Sequence, residues 1–408
     1  MLNWTKRFNI FCFLDNQQYS NEGYELLLAV NAVRFIDDHS SFKEVDNFLC
    51  ETKAWSFGHL SYSLKNQLHQ LPAGKKDRIG FPDFFFFQPE ILIVLKKKEL
   101  TIHAQKPDDI FAQLINEPEF IQEQAEEINL KQGIQKEEYL SIIKQIQARI
   151  LRGDCYEINF CQEFFAEEVS INPAAIFQSL LQLSPTPFAA FYCLNDKYLI
   201  CASPERFIKR NGKNICSQPM KGTARRNRNK NADDRLKTTL YIDEKERAEN
   251  VMVVDLVRND LSKICKDGSV KVDELFGVYS FPQVHQMVST VSGELKDETS
   301  FSQIIEATFP MGSMTGAPKH KVMQLIEAYE PVGRGLFSGS VGYIDPAGNF
   351  DFNVVIRSIL YNKTARLLSY YAGSGITFYS IAEKEWEECL LKAEAIKKVL
   401  TSTTDNRQ

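Results

Sequence analysis

The sequence has few residues of the kinds that build metal–thiolate centres or disulfide frameworks. Its nine cysteines are scattered between Cys12 and Cys389 without a C-x-x-C pair, and its six histidines are equally dispersed. Zinc sites need closely spaced cysteine and histidine ligands, and secreted disulfide scaffolds need paired cysteines. Neither is predicted here, and the scattered cysteines favour reduced thiols and a cytoplasmic location.

Long apolar runs and a large excess of positive charge are also missing. The most apolar window, residues 81–95, is interrupted by Asp83, Pro89 and Glu90, which excludes a membrane span and predicts two buried strands around a turn. The N-terminus lacks the long apolar segment of a secretory signal. A net charge of −5 argues against a general nucleic-acid binder. The basic residues in 221–230 leave RNA binding as an alternative, which salt-dependent oligonucleotide binding would reveal.

What the sequence does contain predicts an α+β protein. From about residue 136, strand-like runs alternate with helical patterns, and several are joined by Asn-Asp, Asn-Gly or Pro-Ala-Gly turns. Strands joined in this way pair antiparallel, so we expect large antiparallel β-sheets with helices packed outside. We expect residues 1–130 to form a β-rich region and linker packed on the core, and residues 131–408 to form the catalytic domain. A helical pattern lies near residues 24–35, and a Glu/Gln-rich linker is predicted at residues 116–135.

Two helical patterns each carry a pair of glutamates three residues apart. Glu246 and Glu249 occur in residues 243–261, and Glu385 and Glu388 occur in the last helical pattern of the chain. A spacing of three places both carboxylates on one face of a helix. Two such faces could converge on one Mg²⁺ ion, which prefers oxygen ligands, or they could be solvated Glu/Lys surfaces.

Lys221 stands in the stretch SQPMKGTARR, between Pro219 and Gly222. A lysine recruited for chemistry benefits from such a frame, because a flexible stem aims its amine poorly. Glu205, in ASPERF, could donate a proton while Lys221 acts as a nucleophile. The alternatives are a charged surface turn for Lys221 and an ordinary ion pair for Glu205.

Other residues suggest places where an anion could bind. Arg357 is a charge among apolar neighbours, and it needs either a substrate carboxylate or a structural salt bridge. The glycine-rich stretches at residues 309–319 and 371–377 allow bare backbone to approach a ligand, although their glycines could equally belong to a capped helix or a bulge. His285 by itself is more typical of a hydrogen-bonded histidine in the core than of a catalytic residue.

Taken together and in this order, these stretches resemble the chorismate-utilising enzymes. The similarity runs from about residue 136 to 400, through GDCYEINFCQEF, ASPERF, PMKGT, ERAENVMVVDLVRNDL, VHQMVSTV, FPMGSMTGAPK, GSVGYID, VVIRSI and AGSGIT. Residues 1–115 match more loosely, through SFGHLSYSL and FPDFFFF. The resemblance implies antiparallel sheets packed as a sandwich, chorismate as the substrate and Mg²⁺ as the cofactor.

The resemblance also implies a role for each matching position. Glu205 matches the general acid that protonates the departing C4 hydroxyl. Arg357, with the backbone at Gly373 and Gly375, matches the clamp for the enolpyruvyl carboxylate. The acidic positions around Mg²⁺ are matched by Glu246, Glu249, Glu385 and Glu388. Further positions that line the pocket are matched by His285, Thr223, Thr315 and Lys392.

Lys221 distinguishes the subgroups of this family. Anthranilate synthases usually carry alanine there, whereas PMKGT is similar to the P-I-K-G-T of aminodeoxychorismate synthase component I. In that subgroup the lysine is implied to attack C2 of chorismate, and ammonia then adds at C4 and expels it. A glutamine amidotransferase subunit is expected as partner, since no cysteine here lies in a G-x-C-x-G turn. We therefore expect 4-amino-4-deoxychorismate synthesis for folate, with anthranilate synthase as the alternative.

Two positions depart from the subgroup. Glu157 stands where glutamine is usual and where isochorismate-type enzymes have a lysine base, and Phe337 stands where tyrosine is common. A dry pocket and the nearby cations Arg225 and Arg226 are expected to favour the neutral amine of Lys221, while Glu205 and the substrate carboxylates are expected to oppose it. A Schiff base between that lysine and pyridoxal phosphate is a further alternative, which a yellow protein would reveal.

Overall fold

The computed structural model of the protein describes residues 1–19, 23–72, 74–118 and 128–401. Within these ranges every helix is too short or too polar to cross a membrane. Two short 3₁₀ turns lie at Tyr62–Leu64 and Gly312–Met314. The α-helices are α1 (Leu2–Thr5), α2 (Glu44–Thr52), α3 (Lys65–Leu68), α4 (Pro107–Ile115), α5 (Lys136–Leu151), α6 (Pro173–Leu183), α7 (Lys230–Ile242), α8 (Glu244–Ile264), α9 (Phe301–Thr308), α10 (Lys319–Tyr329) and α11 (Ala382–Thr401).

The strands of the described residues are more numerous than the helices. They are β1 (Ile10–Asp15), β2 (Leu26–Asp37), β3 (Ser56–Leu60), β4 (Phe84–Lys96), β5 (Glu99–His103), β6 (Lys131–Gln132), β7 (Glu157–Ala166), β8 (Phe188–Leu194), β9 (Lys197–Ser203), β10 (Arg206–Asn211), β11 (Asn214–Gln218), β12 (Met220–Arg225), β13 (Lys271–Ser280), β14 (Val284–Glu294), β15 (Gly316–Ala317), β16 (Ser340–Ile344), β17 (Phe350–Asn353), β18 (Ser358–Asn362) and β19 (Leu367–Ile376).

Neighbouring strands pair antiparallel, and their hydrogen bonds join the described strands into one extended network. The N-terminal strands belong to this network, because β1 pairs with β8 and β3 pairs with β16. These large antiparallel sheets with their helices confirm the α+β prediction. The division of the chain at residue 130 stays a prediction.

Apolar clusters cover both faces of the strands, because successive residues of a strand point to opposite sides. Phe11 and Phe13 of β1 belong to a cluster that includes Phe177 of α6 and Ile396 of α11. Cys12, between them, belongs to a second cluster that includes residues of β16, β17, α8 and α9. The sheets are therefore buried on both sides, and helices α6 and α11 close the first of the two clusters.

The helix predicted near residues 24–35 is wrong. Leu26–Asp37 form β2, which pairs with β1 on one side and with β4 on the other. The run LLLAV is apolar throughout, so its period does not distinguish a helix from a strand buried on both faces. Two neighbouring strands satisfy its backbone groups, and this tertiary pairing decides the conformation.

The turn predicted within residues 81–95 is also wrong. A single strand, β4, runs from Phe84 to Lys96 and passes through Pro89. Pro89 faces Ala32 of β2 where the register shifts between Ala32 and Arg34. A proline, which has no N–H to donate, is tolerated in a sheet at such a bulge.

The three helices predicted to carry or precede the site residues form close to their predicted positions, as α5, α8 and α11. Asp243 caps α8, since its Oδ1 accepts a hydrogen bond from the Glu246 N–H at 3.0 Å. Gly153 follows α5 and has a positive φ of 81°, as expected for a helix end. The linker predicted at residues 116–135 falls partly outside the described residues, at 119–127.

Candidate active site

A cavity of about 1070 Å³ lies among β7, β12, β19, α8, α11 and the loop that precedes β10. Ten of the thirteen site residues predicted from the sequence line it. They are Glu205, Lys221, Thr223, Glu246, Glu249, Arg357, Gly373, Gly375, Glu388 and Lys392. Residues almost 200 positions apart in the chain therefore meet in one cavity, as their order along the sequence implied.

His285, Thr315 and Glu385 are not among the described residues that line the cavity. The neighbour of His285 on β14, Gln286, does line it, and strand alternation turns the histidine to the other side. There His285 Nδ1 lies 2.9 Å from Ser280 Oγ and its Nε2 lies 3.1 Å from Asp233 Oδ1. Both ring nitrogens are thus engaged, and the pocket-lining role predicted for His285 is not what this structure shows.

Thr315 is buried next to the cavity and supports its wall. Its Oγ1 donates a hydrogen bond to the Met311 carbonyl at 3.0 Å, and its own carbonyl accepts one from the Asn159 N–H at 2.7 Å. Asn159 lies on β7 and lines the cavity. Thr315 therefore holds a cavity strand in place, whereas the sequence predicted that it lines the cavity itself.

Glu205 is placed between β9 and β10 and is almost fully buried. Burial raises the pKa of Glu205 to about 7, although the nearby polar groups of Ser313 and Met220 and the charges of Lys221 and Arg357 act in the opposite direction. A carboxyl group with a pKa near neutrality keeps its proton for a large part of the time. It can therefore act as the proton donor that the sequence predicted.

Lys221 lies on β12, where Gly222 has a φ of +85° that a residue with a side chain rarely adopts. The Lys221 ammonium forms an ion pair with Glu157, the first residue of β7. Burial lowers the pKa of Lys221, but the carboxylates of Glu157, Glu249 and Glu388 outweigh burial and raise it above its usual value. The lysine must therefore lose a proton before it can attack an electrophile.

The expectation that Arg225 and Arg226 favour the neutral amine is wrong for this structure. Arg225 Nη2 lies 3.1 Å from Glu394 Oε2, and Arg226 Nη2 lies 2.8 Å from Asp233 Oδ2. Each arginine is therefore paired with a carboxylate other than those around Lys221. Carboxylates surround Lys221 instead, and this was not visible from the neighbouring sequence.

Three carboxylates and one lysine form an acidic cluster, which we define as Glu246, Glu249, Glu388 and Lys245. Burial raises the pKa of Glu249 to about 7 and, together with the charge of Glu388, raises that of Glu246. Burial also acts to raise the pKa of Glu388, but Lys392, 2.7 Å away, lowers it below its usual value. Glu249 is buried, whereas the Glu388 side chain is 44% exposed, so the cost of burying negative charge falls mainly on Glu249.

The acidic cluster fits a cation by its chemistry. Glu249 Oε1 is buried and accepts no hydrogen bond among the described residues, and oxygen atoms of this kind are the ligands that Mg²⁺ prefers. Lys245 Nζ lies 3.7 Å from Glu249 Oε1 and 3.8 Å from Glu385 Oε1, so one ammonium now bridges α8 and α11. No three of the four predicted glutamates bring oxygens within 4.8 Å of one another. Ligation would therefore require their side chains to move closer together.

Arg357, Gln286 and Thr223 form a second cluster, which we call the Arg357 cluster. Gln286 Oε1 accepts hydrogen bonds from Thr223 Oγ1 at 3.0 Å and from Arg357 Nη2 at 3.3 Å, and its Nε2 donates to the Gly222 carbonyl at 2.7 Å. Burial lowers the pKa of Arg357 to about 10, with the charge of Glu205 acting against burial. A guanidinium in this position can bind a carboxylate through two parallel hydrogen bonds.

Gly373 and Gly375 of β19 leave space that a side chain would fill. A Cβ on Gly375 would lie 2.5 Å from Glu157 Oε1 and 2.6 Å from Lys221 Nζ. The absence of that atom is what admits the ion pair. The Gly373 carbonyl accepts a hydrogen bond from Lys392 Nζ at 3.0 Å, so Lys392 links α11 to the same strand.

Phe337, the second departure from the subgroup, lines the cavity and stacks on Tyr371 with ring centroids 4.8 Å apart. The Tyr371 hydroxyl donates to the Gly333 carbonyl at 2.8 Å and so is engaged with the protein. This side of the cavity therefore offers flat apolar surface, which suits the face of an unsaturated ring.

Sequence reasoning missed Gln286 and Lys245 and had no account of Glu157. Gln286 follows His285 directly in VHQMVSTV, and the alternation of strand side chains could have indicated that only one of the two faces the cavity. Lys245 precedes Glu246 and lies four residues before Glu249, the spacing of a helical ion pair. The partner of Glu157 is 64 residues away in the chain, and no local pattern points to it.

Comparisons with known proteins show the family to which the chain belongs. A family model described as chorismate binding enzyme matches residues 14–398. The anthranilate synthase component I-like protein of Synechocystis sp. is 32% identical over 401 residues, which are 96% of this chain and 79% of that protein. Aminodeoxychorismate synthase component 1 of Escherichia coli is 32% identical over 369 residues, which are 89% of this chain and 80% of that protein.

A solved structure shares the architecture. Anthranilate synthase component I from Streptococcus pneumoniae TIGR4 superposes with a TM-score of 0.80 at 26% sequence identity, covering 91% of each chain. The observed α+β fold and the family resemblance inferred from the ordered motifs are both confirmed. Relatives named for two different amine-forming reactions are equally similar to this chain, so similarity does not choose between those reactions.

Proposed function

The chain belongs to the chorismate-binding enzyme family, and we propose that it is component I of an aminodeoxychorismate synthase. Its product would be 4-amino-4-deoxychorismate, made from chorismate and ammonia for para-aminobenzoate and folate synthesis. The observation that carries the proposal is Lys221, an amine that lines the same cavity as the buried acid Glu205. We also propose a cytoplasmic location, where the free thiols would remain reduced.

The proposed reaction proceeds in two balanced steps. The Lys221 amine forms a bond to C2 of chorismate, the two ring double bonds shift, and the C4 hydroxyl leaves as water after taking the proton of Glu205. Ammonia then adds at C4, the double bonds shift back, the bond between C2 and Lys221 breaks, and the new C4 ammonium returns a proton to the Glu205 carboxylate. The sum is chorismate plus ammonia giving 4-amino-4-deoxychorismate plus water.

The protein would bind the two carboxylates of chorismate at different clusters. The Arg357 cluster offers a guanidinium held by Gln286 and suits the enolpyruvyl carboxylate. The ring carboxylate would lie toward the acidic cluster, where like charges repel unless a cation intervenes. Bound Mg²⁺ would supply that positive charge, held by Glu246, Glu249, Glu385 and Glu388. Phe337 and Tyr371 would provide the apolar surface for the ring.

Ammonia is proposed to come from a separate glutamine amidotransferase subunit. Relatives of this chain are named as component 1 of their synthases, and such a name implies a second component. The sequence has no G-x-C-x-G turn for hydrolysing glutamine itself. The purified chain should therefore use ammonium salts but not glutamine, and glutamine-dependent turnover by the chain alone would refute this part.

Anthranilate synthase is the second candidate, because relatives with that name are as similar to this chain as relatives named aminodeoxychorismate synthase. Anthranilate synthase component 1 of Aquifex aeolicus is 36% identical to this chain over 280 residues. In that reaction ammonia would add at C2, and Lys221 would have no covalent role. The position of the amine on the product separates the two candidates.

The test is incubation with chorismate, Mg²⁺ and ammonium, followed by identification of the product. With ammonium withheld, an adduct weighing chorismate less one water should accumulate on the peptide that contains Lys221. Lys221→Ala should abolish the adduct and strongly slow formation of the 4-amino product. Lys319→Ala, which removes a buried lysine outside the cavity, should leave the adduct in place. If anthranilate forms, no adduct appears and Lys221→Ala is as fast as the wild type, the proposal is wrong.

A further inference from the structure

The ion pair between Glu157 and Lys221 is a feature of this chain that the proposed reaction does not yet use. Glu157 is 2% exposed, and it is not among the described residues that line the cavity, whereas Lys221 lines it. Glu157 therefore contacts the candidate nucleophile, Lys221, from behind the cavity wall. A group in that position can act on a reaction only through the lysine.

The fold brings Glu157 to this place from the start of β7. Side chains of a strand alternate, so Glu157 points to the same side as Asn159 and Cys161, which both line the cavity. The strand is fixed on both edges near Glu157, because Ala317 of β15 is its register partner and Ile376 of β19 pairs with the following residue. The carboxylate therefore has a rigid base from which to hold another side chain.

The lysine is held where a flexible side chain would otherwise have many positions. Lys221 has four rotatable side-chain bonds, and fixing an amine in a reactive geometry is a large part of what an enzyme contributes. Glu157 Oε1 accepts from Lys221 Nζ, and the missing Cβ of Gly375 leaves room for both atoms. Glu157 Oε2 is buried and has no hydrogen-bond partner among the described residues, so within this part of the chain the carboxylate makes its polar contact through the lysine.

The other charged groups around the lysine are less suited to this task. Glu249 and Glu388 raise the pKa of Lys221 from α8 and α11, but neither forms an ion pair with it. Glu205 and Glu246 are also near enough for its charge to act on them. Among the described residues, Glu157 is thus the carboxylate whose oxygen meets the lysine nitrogen directly.

We propose that Glu157 is a positioning residue, which anchors the Lys221 amine in the cavity and so sets the geometry of its attack on the ring. This proposal rests on the function proposed above, because positioning Lys221 affects catalysis only if Lys221 is the nucleophile. The anchor itself, however, is a property of the protein without substrate. The two statements can therefore be tested separately.

The first experiment measures the anchor in the absence of chorismate. Wild type, Glu157→Ala and Glu157→Gln are treated with a small amine-reactive reagent at neutral pH, and labelling of each lysine is followed by peptide mass spectrometry. Released from its partner, Lys221 should be labelled at least about fivefold faster in Glu157→Ala than in the wild type. Lys319, which is paired with Asp260 elsewhere in the protein, serves as the internal control and should not change. Equal labelling of Lys221 in the two proteins would overturn the anchor.

The second experiment asks whether the anchor serves the reaction. Glu157→Ala should lower kcat by about 10- to 100-fold and change KM for chorismate by less than about twofold, because Glu157 acts through the nucleophile. Glu157→Gln keeps an oxygen acceptor in the same place and should retain at least about one third of the wild-type kcat. If Glu157→Gln loses as much as Glu157→Ala, or if KM alone changes, the positioning role is wrong.

A double-mutant cycle separates positioning from general stability. In a Lys221→Ala background, Glu157→Ala should cause no further loss of the residual rate, because the partner that it positions is gone. Asp260→Ala breaks a comparable buried lysine–carboxylate pair outside the cavity, and it should lower the melting temperature with little effect on kcat. Additive losses in the cycle would overturn the proposal. A normal anchor in the labelling experiment, with no adduct or 4-amino product from the wild type, would instead refute the proposed function alone.

Discussion

The acidic cluster is mainly negative and the Arg357 cluster is positive, yet in both of them burial disfavours the charged form of a central side chain. In the acidic cluster burial raises the pKa of Glu249 to about 7, and in the Arg357 cluster burial lowers that of Arg357 to about 10. Burial thus works against the charged state on both sides of one cavity. A cation at the first cluster and a carboxylate at the second would relieve both, which is the combination that a metal-bound dicarboxylate brings.

The two clusters also differ in how they are assembled. The acidic cluster comes from helix faces, whose spacing of three or four residues is visible in the sequence. The Arg357 cluster comes from two strands and the loop before β18, and Gln286 holds it together through three hydrogen bonds. The acidic cluster is therefore the easier of the two to recognise from the sequence, whereas the Arg357 cluster depends on side chains that distant parts of the chain bring together.

The largest effect should follow from breaking the acidic cluster. We expect no turnover in the presence of a chelator and recovery with Mg²⁺, since the carboxylates would otherwise repel the substrate. Glu249→Gln should lower kcat/KM by at least about 100-fold, because it removes a buried candidate ligand. Asp255→Asn, on the exposed side of the same helix, is the matched control and should behave like the wild type. Full activity in the presence of the chelator would show that the reaction does not need a metal ion.

Breaking the Arg357 cluster should have the next largest effect. Arg357→Ala should lower kcat/KM by about 100-fold, mainly through KM, as expected for a lost charge-assisted contact of ~3 kcal/mol. Arg357→Lys keeps the charge without the planar pair of donors, and its loss should be about tenfold. Steady-state kinetics with chorismate as the varied substrate measures both. An unchanged KM in both variants would show that Arg357 does not bind the substrate.

Glu205 lines the same cavity as the two clusters, and the pH dependence of the reaction should reveal its role. The pKa of Lys221 is raised, so its neutral fraction grows about tenfold per pH unit across the accessible range. The pKa of Glu205 is raised to about 7, so its acid form is present below that pH and declines above it. The rate of adduct formation should therefore rise up to about pH 7 and level off above it, where gain and loss cancel.

The control for this pH profile is Glu205→Gln, which has no titrating acid at that position. Its residual rate of adduct formation should be lower at every pH, and it should continue to rise above pH 7 without a plateau. Stopped reactions analysed by intact mass can measure both profiles. A plateau that persists in Glu205→Gln would assign the titration to another group.

The smallest effect should follow from trimming the support of Arg357. Thr223→Val removes the hydroxyl that donates to Gln286 Oε1, and the loss of one such hydrogen bond corresponds to ~1 kcal/mol, or about fivefold in KM. Thr238→Val, which changes an exposed threonine on α7, is the matched control. A loss as large as that of Arg357→Ala would mean that Thr223 contacts the substrate itself.

Much of the candidate site could be predicted from the sequence, because its parts lie in short motifs with recognisable local geometry. The positions of α8 and α11 follow from apolar spacing, and the cap at Asp243 marks where α8 begins. The side chains of Glu205, Lys221 and Arg357 do line one cavity, as their motifs implied. Residues 24–35 were misassigned to a helix because an apolar run that is buried on both faces carries no period.

The family, the antiparallel character of the sheets and the helix faces that carry carboxylates could all be read from the sequence, since each depends on residues close together in the chain. The folded structure was needed to show that His285 turns away while Gln286 faces the cavity, and that Arg225 and Arg226 form ion pairs with Glu394 and Asp233. It also decided that Glu157 meets Lys221 across 64 residues. The physical reason is that the charge state of a buried group depends on its neighbours in space, and strand pairing selects those neighbours.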